Sequence, residues 1–371
     1  MKKFSKFVSL ILLTFLLCSM LLLTGCNKID SNDAPNDTDG ASQAPTQDGE
    51  EVPSEPTVIE SEGLEYRVNS DQKTCVITGI GTCKDEHLYI PLKIDGYEVT
   101  EIAESAFANC SQLISATVPN HVKKIGRWAF HQCNNLTTLS IPFVGADKGS
   151  QNAINFEYIF GATGSNQSID ERDHAPESLK TVTVTGSGFI YGDAFSQCRN
   201  ITSITLSGTI IEIHDGAFKS CSGLTELILP DTVKEIGNQA FLGCTKLTQL
   251  KLPSSLTTLG NEAFKNCSRL TSIILPDSLT AISPNTFENC KRLESIVISK
   301  SVTTFGMSAF KQCEALKSFF YCGNAEQWSA IEKNDATDIL SSATVYYYSE
   351  TQPTASGNYW RYVDGVPTAW E

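Results

Sequence analysis

Apolar residues in this chain recur with a period of 23 residues over most of its length. Between successive marker phenylalanines runs one pattern: Leu-x-x-Ile-x-Leu-Pro, two or three residues, Val/Leu-x-x-Ile-Gly, two residues and Ala-Phe. In the Leu-x-x-Ile-x-Leu part, apolar and polar positions alternate, which is typical of a short strand with one buried face. The marker phenylalanines are Phe107, Phe130, Phe195, Phe218, Phe241, Phe264, Phe287 and Phe310.

Tandem repeats of 20–29 residues with this leucine pattern form leucine-rich solenoids, in which each repeat is one coil. The sequence therefore predicts a β-rich leucine-rich-repeat solenoid with 23-residue repeats and a parallel β-sheet along one face. The predicted solenoid spans residues 106–321. A small β cap is expected at residues 63–105, where Asp95-Gly96 is a hairpin signal. A mixed, aromatic-rich cap and tail is expected at residues 322–371.

A cysteine stands three residues after each marker phenylalanine. Equivalent side chains of successive coils stack at about 4.8 Å, whereas the Cβ atoms of a disulfide lie about 3.8 Å apart. We therefore predict a buried row of free thiols that fills the core. This structural row consists of Cys110, Cys133, Cys198, Cys221, Cys244, Cys267, Cys290 and Cys313.

The other chemistry-bearing residues predict neither catalysis nor a metal site. A nucleophile needs its own base and a shaped site, which eight interchangeable cysteines do not offer. The chain has no Cys-x-x-Cys pair, and its five histidines lack ligand spacing. No metal and no cofactor are expected. Cys75 and Cys83 could form a disulfide in an oxidising exterior or remain two free thiols.

The N-terminal residues predict export and lipid anchoring. Three lysines and an apolar run precede Leu23-Thr24-Gly25-Cys26, so residues 1–25 are predicted to be a signal peptide. The four residues resemble a lipobox, in which Cys26 would be lipidated; an uncleaved membrane anchor is the alternative. Residues 26–62 are acidic and proline-rich, which predicts a disordered linker. The formal net charge of −14 argues against a nucleic-acid partner.

Three places could bind a ligand. The first is the outward row of the predicted sheet, where an apolar ridge surrounds two polar residues, unless the tail covers it. The second is an insertion at residues 143–178, which either recognises a ligand or decorates one coil with long loops. The third is the aromatic tail, where a cap is favoured over a sugar-contacting strip. The candidate ligand-binding residues are Ile228, Gln249, Lys251, Ile274, Val297 and Phe320 on the ridge, and Phe156 and Tyr158 in the insertion.

The repeat pattern and the segment "FYCGNAEQWSAIEKN" resemble the BspA-like class of leucine-rich repeats in bacterial surface proteins. This resemblance implies adhesion and recognition rather than catalysis. We expect a lipid-anchored protein on the extracellular face of a bacterial membrane. It would bind an extracellular protein or glycan, such as host matrix, mucin or a neighbouring cell surface. A structural or self-associating envelope protein is the alternative, and a glycan-processing enzyme is the disfavoured third.

Overall fold

The computed structural model describes residues 59–148, 155–161, 175–334 and 337–370. The predicted signal peptide, Cys26 and nearly all of the predicted linker lie outside the described residues, as does much of the insertion. Two units are distinguished, Met1–Ile59 and Glu60–Glu371, and the second contains every strand described below. Among the described residues, no helix is long and apolar enough to cross a bilayer.

The chain winds into a β-solenoid, as predicted. The Leu-x-x-Ile-x-Leu segments of successive coils pair in parallel and in register, so that Ser203 lies opposite Glu226, one repeat later. We call the sheet that they form the first sheet. Its strands are β3 (His87–Tyr89), β6 (Ser115–Thr117), β8 (Thr138–Ile141), β9 (Thr181–Val184), β11 (Ser203–Leu206), β13 (Glu226–Ile228), β16 (Ser272–Ile274), β18 (Ser295–Ile298), β20 (Ser318–Tyr321), β22 (Thr344–Tyr348), β23 (Tyr359–Val363) and β24 (Val366–Ala369).

The Val/Leu-x-x-Ile-Gly segments also form short parallel strands, which the sequence analysis did not anticipate. We call these strands together the second sheet, although among the described residues they form three separate sheets. They pair one repeat apart, for example Glu235 with Thr258. Its strands are β5 (Tyr97–Ile102), β7 (Lys124–Ile125), β10 (Gly188–Ile190), β12 (Ile210–Ile213), β14 (Glu235–Ile236), β15 (Thr258–Leu259), β17 (Ala281–Ile282), β19 (Thr304–Phe305) and β21 (Glu332–Lys333).

The marker phenylalanines form the spine of the core. From Phe195 to Phe310 each ring stacks on the next, with centroids 5.1–5.7 Å apart and planes within 15° of parallel. Stacked contacts of this kind add to the free energy gained by burying the rings. The spine therefore couples each coil to its two neighbours.

Two residues in each regular coil adopt left-handed backbone angles, two positions before and two positions after the marker phenylalanine. In one coil these are Gln239, with φ of 55°, and Gly243, with φ of 75°. Their amide N–H groups, with that of Phe241 between them, donate to carbonyls of the next coil over 2.8–2.9 Å. The residue before each cysteine is Asn, Gln, Ser or Gly because this position needs a positive φ.

The N-terminal residues continue the solenoid sheets. β4 (Lys93–Ile94) pairs antiparallel with β5, and Asp95 and Gly96 between them have φ of 50° and 89°, so the predicted hairpin forms. β5 also pairs in parallel with β2 (Thr74–Gly79) and β7, and β2 pairs antiparallel with β1 (Glu65–Val68). The strand pairing thus continues across residue 105, the predicted boundary between the N-terminal cap and the solenoid.

The C-terminal residues extend the first sheet. Helix α1 (Ala325–Ala330) begins at Asn324, whose side chain accepts from the Gln327 N–H in a capping box. Helix α2 (Thr337–Ser342) leads into β22, and β23 and β24 form a final antiparallel hairpin. Trp360 of β23 is fully buried.

Candidate functional site

The thiols of the predicted row are free and buried in the structure. Each regular thiol also makes a contact that the sequence analysis missed, because it donates to the carbonyl of the phenylalanine one coil earlier. The Cys267 Sγ lies 3.2 Å from the Phe241 oxygen. The same contact recurs at 2.9–3.2 Å for Cys133, Cys221, Cys244, Cys290 and Cys313. The thiol donates to a buried phenylalanine carbonyl oxygen. With alanine in place of the cysteine, that oxygen would have one hydrogen-bond partner fewer.

Burial makes these thiols poor nucleophiles. It raises the pKa of Cys133 and of Cys313 to about 12. Burial is also the leading reason why the pKa lies well above its usual range for Cys198, Cys221, Cys244, Cys267 and Cys290. The thiolate is the reactive form, so the row is chemically inert in the folded protein. In the described ranges no group of three or more His, Cys, Asp or Glu could hold a metal ion.

Cys75 and Cys83 are both buried and both free in the structure, so the possible disulfide is not formed. Cys83 instead lies near the first thiol of the row. The pKa of Cys110 is raised mainly by burial and, to a smaller extent, by the nearby Cys83 thiol. The thiol row therefore begins one coil earlier than the 23-residue spacing indicates.

Part of the predicted ridge is exposed on the first sheet. Ile228 and Ile274 are 39% and 36% exposed. Gln249 and Lys251 are exposed between them. We call these four residues the 228–274 surface.

The prediction that Val297 and Phe320 line the same ridge is wrong, and the alternative, that the tail covers the ridge, holds for these two residues. They are only 3% and 8% exposed, because Trp360 of the tail packs over them. The centroids of the Phe320 and Trp360 rings lie 5.4 Å apart. The indole N–H of Trp360 donates to the Tyr321 carbonyl over 2.9 Å, which fixes the tail in place. Tyr346 packs on Phe320 from the next strand, β22.

The first sheet is interrupted at the 228–274 surface. β13 pairs only with β11, and β16 pairs only with β18. Residues 249–251, which lie between them in the sequence, form no strand. In other coils the residue before the proline donates to the next coil, as the Leu275 N–H does to the Val297 carbonyl over 3.0 Å. Within the described chain, the amides of Leu229 and Leu252 make no such bond.

The insertion keeps one coil, built on a 3₁₀ helix (Phe156–Phe160). The Phe130 N–H donates to the Ile159 carbonyl over 3.0 Å, and Phe160 is fully buried, as a marker phenylalanine would be. Phe156 is 1% exposed and packs against Phe195, with ring centroids 5.1 Å apart and planes tilted by 33°, so its predicted exposure to a ligand is wrong. Tyr158 is half-buried against the core.

Glu157 lies against the thiol row next to the insertion. It is only 6% exposed, and the Cys198 Sγ donates to its carboxylate over 3.9 Å. Beside it lies an open cavity of about 770 Å³. The cavity lining is rich in amide side chains and includes Gln132, Asn134, Gln197, Arg199 and Asn200.

Residues 89–186 and 188–328 match, in six copies, the family model of the BspA type leucine rich repeat region. A leucine rich cell surface protein from Faecalibacterium prausnitzii is 23% identical over 75% of this chain and 98% of its own, with a TM-score of 0.36. The T. pallidum leucine rich repeat protein is 23% identical over 69% of this chain and 88% of its own, with a TM-score of 0.30. A leucine-rich repeat protein from Bacteroides ovatus is 20% identical over 78% of this chain and 99% of its own, with a TM-score of 0.23. No curated protein matches the chain.

Proposed function

Since this chain belongs to the BspA type leucine-rich-repeat family, we propose that it is an extracellular binding or adhesion protein anchored by a lipid on Cys26. It recognises a protein or glycan ligand and performs no catalysis. The acidic linker, residues 26–62, holds the solenoid away from the bilayer.

The interruption of the first sheet carries this proposal. A regular solenoid uses the amides of Leu229 and Leu252 to join its coils, whereas here they make no backbone bond in the described chain. Leu229 is half-buried and Leu252 is buried. Beside them in the sequence lie the exposed side chains of Ile228 and Lys251, with Ile274 exposed one coil later. Apolar anchors beside unused backbone donors can hold an extended segment of a partner protein.

A direct binding assay tests this proposal. The mature chain from residue 27, without its lipidated cysteine, is presented to matrix proteins, mucins and a glycan array. The variant Ile228→Ser/Lys251→Ala/Ile274→Ser should bind its ligand at least tenfold more weakly. The matched control, Thr258→Ala/Thr304→Ala, changes the second sheet and should bind normally. Equal binding by both variants contradicts the role of the 228–274 surface.

The insertion is tested separately. The cavity beside Glu157 supports a contribution from this region, because its amide side chains can hydrogen-bond a polar ligand. A deletion should remove only residues 163–173, since Phe156 and Phe160 belong to the core. Saturable binding that is lost with this deletion supports a recognition loop, and unchanged binding supports a decorated coil.

Anchoring and the structural alternative need their own experiments. Mass spectrometry of the exported protein should find a lipid on Cys26, and Cys26→Ser should release the protein from the membrane. If the mature chain binds nothing in the assay but sediments as a concentration-dependent oligomer, a self-associating envelope protein replaces the adhesin.

A further inference from the structure

A second exposed cluster lies on the second sheet, away from the 228–274 surface. It consists of Phe189, Tyr191, Glu212 and His214, which we call the aromatic corner. Phe189 is 41% exposed, which is unusual for a ring of this size in a chain whose marker rings are buried. Its centroid lies 6.1 Å from that of Tyr191 and 5.6 Å from that of His214.

The rings at this corner depart from the repeat pattern. Four residues before the marker phenylalanine, the other regular coils carry a small residue. A Cβ added at Gly260, one of these positions, would lie 2.5 Å from the Asn238 nitrogen of the preceding coil. In two successive coils, just after the insertion, Tyr191 and His214 occupy this position instead. The small residues are Ala103, Gly126, Gly237, Gly260, Ser283 and Gly306.

A local irregularity of the strand places Phe189 in the cluster. The pairing of β10 with β12 shifts between Gly188 and Phe189, and Gly188 has φ of 115°. The shift sets Phe189 opposite Glu212, whereas Gly188 lies opposite Ile210. Irregularities of this kind re-aim a side chain, and here the ring is turned beside a carboxylate.

The polar groups of the corner are Glu212 and His214. The His214 Nε2 lies 3.3 Å from the Glu212 Oε2, and this nitrogen is covered from solvent and makes no hydrogen bond within the described residues. The two side chains as a whole are 39% and 35% exposed. The imidazole thus lies against the carboxylate, while Glu212 stands at the rim of an aromatic surface, where its oxygens can accept from a ligand.

We infer that the aromatic corner is a carbohydrate-binding site that stacks one neutral pyranose ring on Phe189 and Tyr191 and accepts from its hydroxyls through Glu212. This inference rests on the proposed extracellular binding function and names a ligand class and a second site for it. A pyranose has an apolar C–H face and a rim of hydroxyls, which matches rings bordered by a hydrogen-bonding group.

The surroundings of the corner favour a single sugar over the other occupants. A stable protein interface buries about 800 Å² on each partner, whereas the exposed large apolar side chains here are Phe189 and Ile211. The next strands of the sheet offer Lys234, Glu235 and Thr258, which are exposed and polar. Glu212 and the net charge of −14 repel sialylated or sulfated sugars.

The test presents the mature chain, residues 27–371, to an array of glycans with neutral pyranose ends and their sialylated and sulfated counterparts. Binding of the best monosaccharide is then measured by saturation-transfer NMR and calorimetry. Phe189→Ser should weaken binding at least tenfold, and Glu212→Gln several-fold. The matched control Met307→Ser, which removes an exposed apolar side chain in the fourth coil after that of His214, should bind normally.

Three results of this test would overturn the inference. Absence of neutral-glycan binding, or equal binding by wild type and Phe189→Ser, excludes the site. Binding of a lysine-rich peptide but of no glycan shows a cation site instead. Circular dichroism verifies folding, and Tyr191→Gly, which restores the residue of the repeat, replaces Phe189→Ser if that variant unfolds. Loss of protein binding by the 228–274 variant with retained sugar binding separates this inference from the first-sheet proposal.

Discussion

Alkaline pH should unfold this solenoid through its row of thiols. In an unfolded chain a cysteine ionises with a pKa of about 8.5. Burial holds the pKa of Cys133 and Cys313 at about 12 in the folded chain and raises that of the other deep thiols well above the usual value. A raised folded-state pKa gives stability that is complete below the unfolded pKa. That stability is lost as pH rises toward the folded pKa.

The size of the effect follows from the number of thiols. Each thiol that stays protonated in the folded state removes about 1.4 kcal/mol of unfolding free energy per pH unit above its unfolded pKa. At pH 10 this is about 2 kcal/mol for one thiol and about 14 kcal/mol for seven, which matches the stability of an ordinary domain. The seven are Cys133, Cys198, Cys221, Cys244, Cys267, Cys290 and Cys313. We therefore expect unfolding between about pH 10 and 11.

The assay is denaturant unfolding of the mature chain at pH 7 to 10, with a reductant present and far-UV circular dichroism as the probe. The triple variant Cys244→Ala/Cys267→Ala/Cys290→Ala should start less stable at pH 7, because it loses three S–H donors. Its free energy should then fall by about 4 kcal/mol less per pH unit. Equal slopes for the two proteins would refute the reasoning, as would thiolate absorbance near pH 9 in a folded Cys322→Ser chain, from which the half-buried thiol is absent.

Three further changes test the packing. Phe264→Ala should lower the unfolding free energy by about 3–5 kcal/mol through lost burial, and further because two ring stacks are lost. Urea titration measures the unfolding free energy, and Phe264→Leu is the milder control. Gly260→Ala should lower the melting temperature although its φ is ordinary, because the new Cβ would lie 2.5 Å from the preceding coil's backbone. Gly96→Asn, at an open turn with a φ of 89°, should lower it less. Trp360→Ala should expose Val297 and increase binding of a hydrophobic dye, and an unchanged dye signal would contradict the cover by the tail.

Period and residue type were enough to predict the solenoid, the first sheet and the buried thiols, since each depends on what one coil repeats. The second sheet was missed because its strands are two to six residues long, too short for an alternating pattern. The S–H contact to the earlier phenylalanine carbonyl was also missed, because a 23-residue period does not show which backbone groups of adjacent coils meet.

The candidate site was less predictable, because it depends on where the repeat fails. Exposure was assigned from strand alternation, which holds for Ile228 and Ile274. It failed for Phe320, since nothing in the local sequence shows that Trp360, 40 residues later, returns to cover it. The aromatic corner does have a signal in the sequence, because Tyr191 and His214 stand where the other regular coils carry a small residue.

A stacked array can hold such irregular sites because each coil contacts only its neighbours. Next to the insertion the Cys198 thiol contacts Glu157 instead of a phenylalanine carbonyl, while the phenylalanine spine from Phe195 onward remains stacked within 15°. The stability lost at one irregular coil is therefore not transmitted along the array. The same physical property that makes the regular coils predictable from their period allows the insertion, the interrupted sheet and the aromatic corner to differ from it.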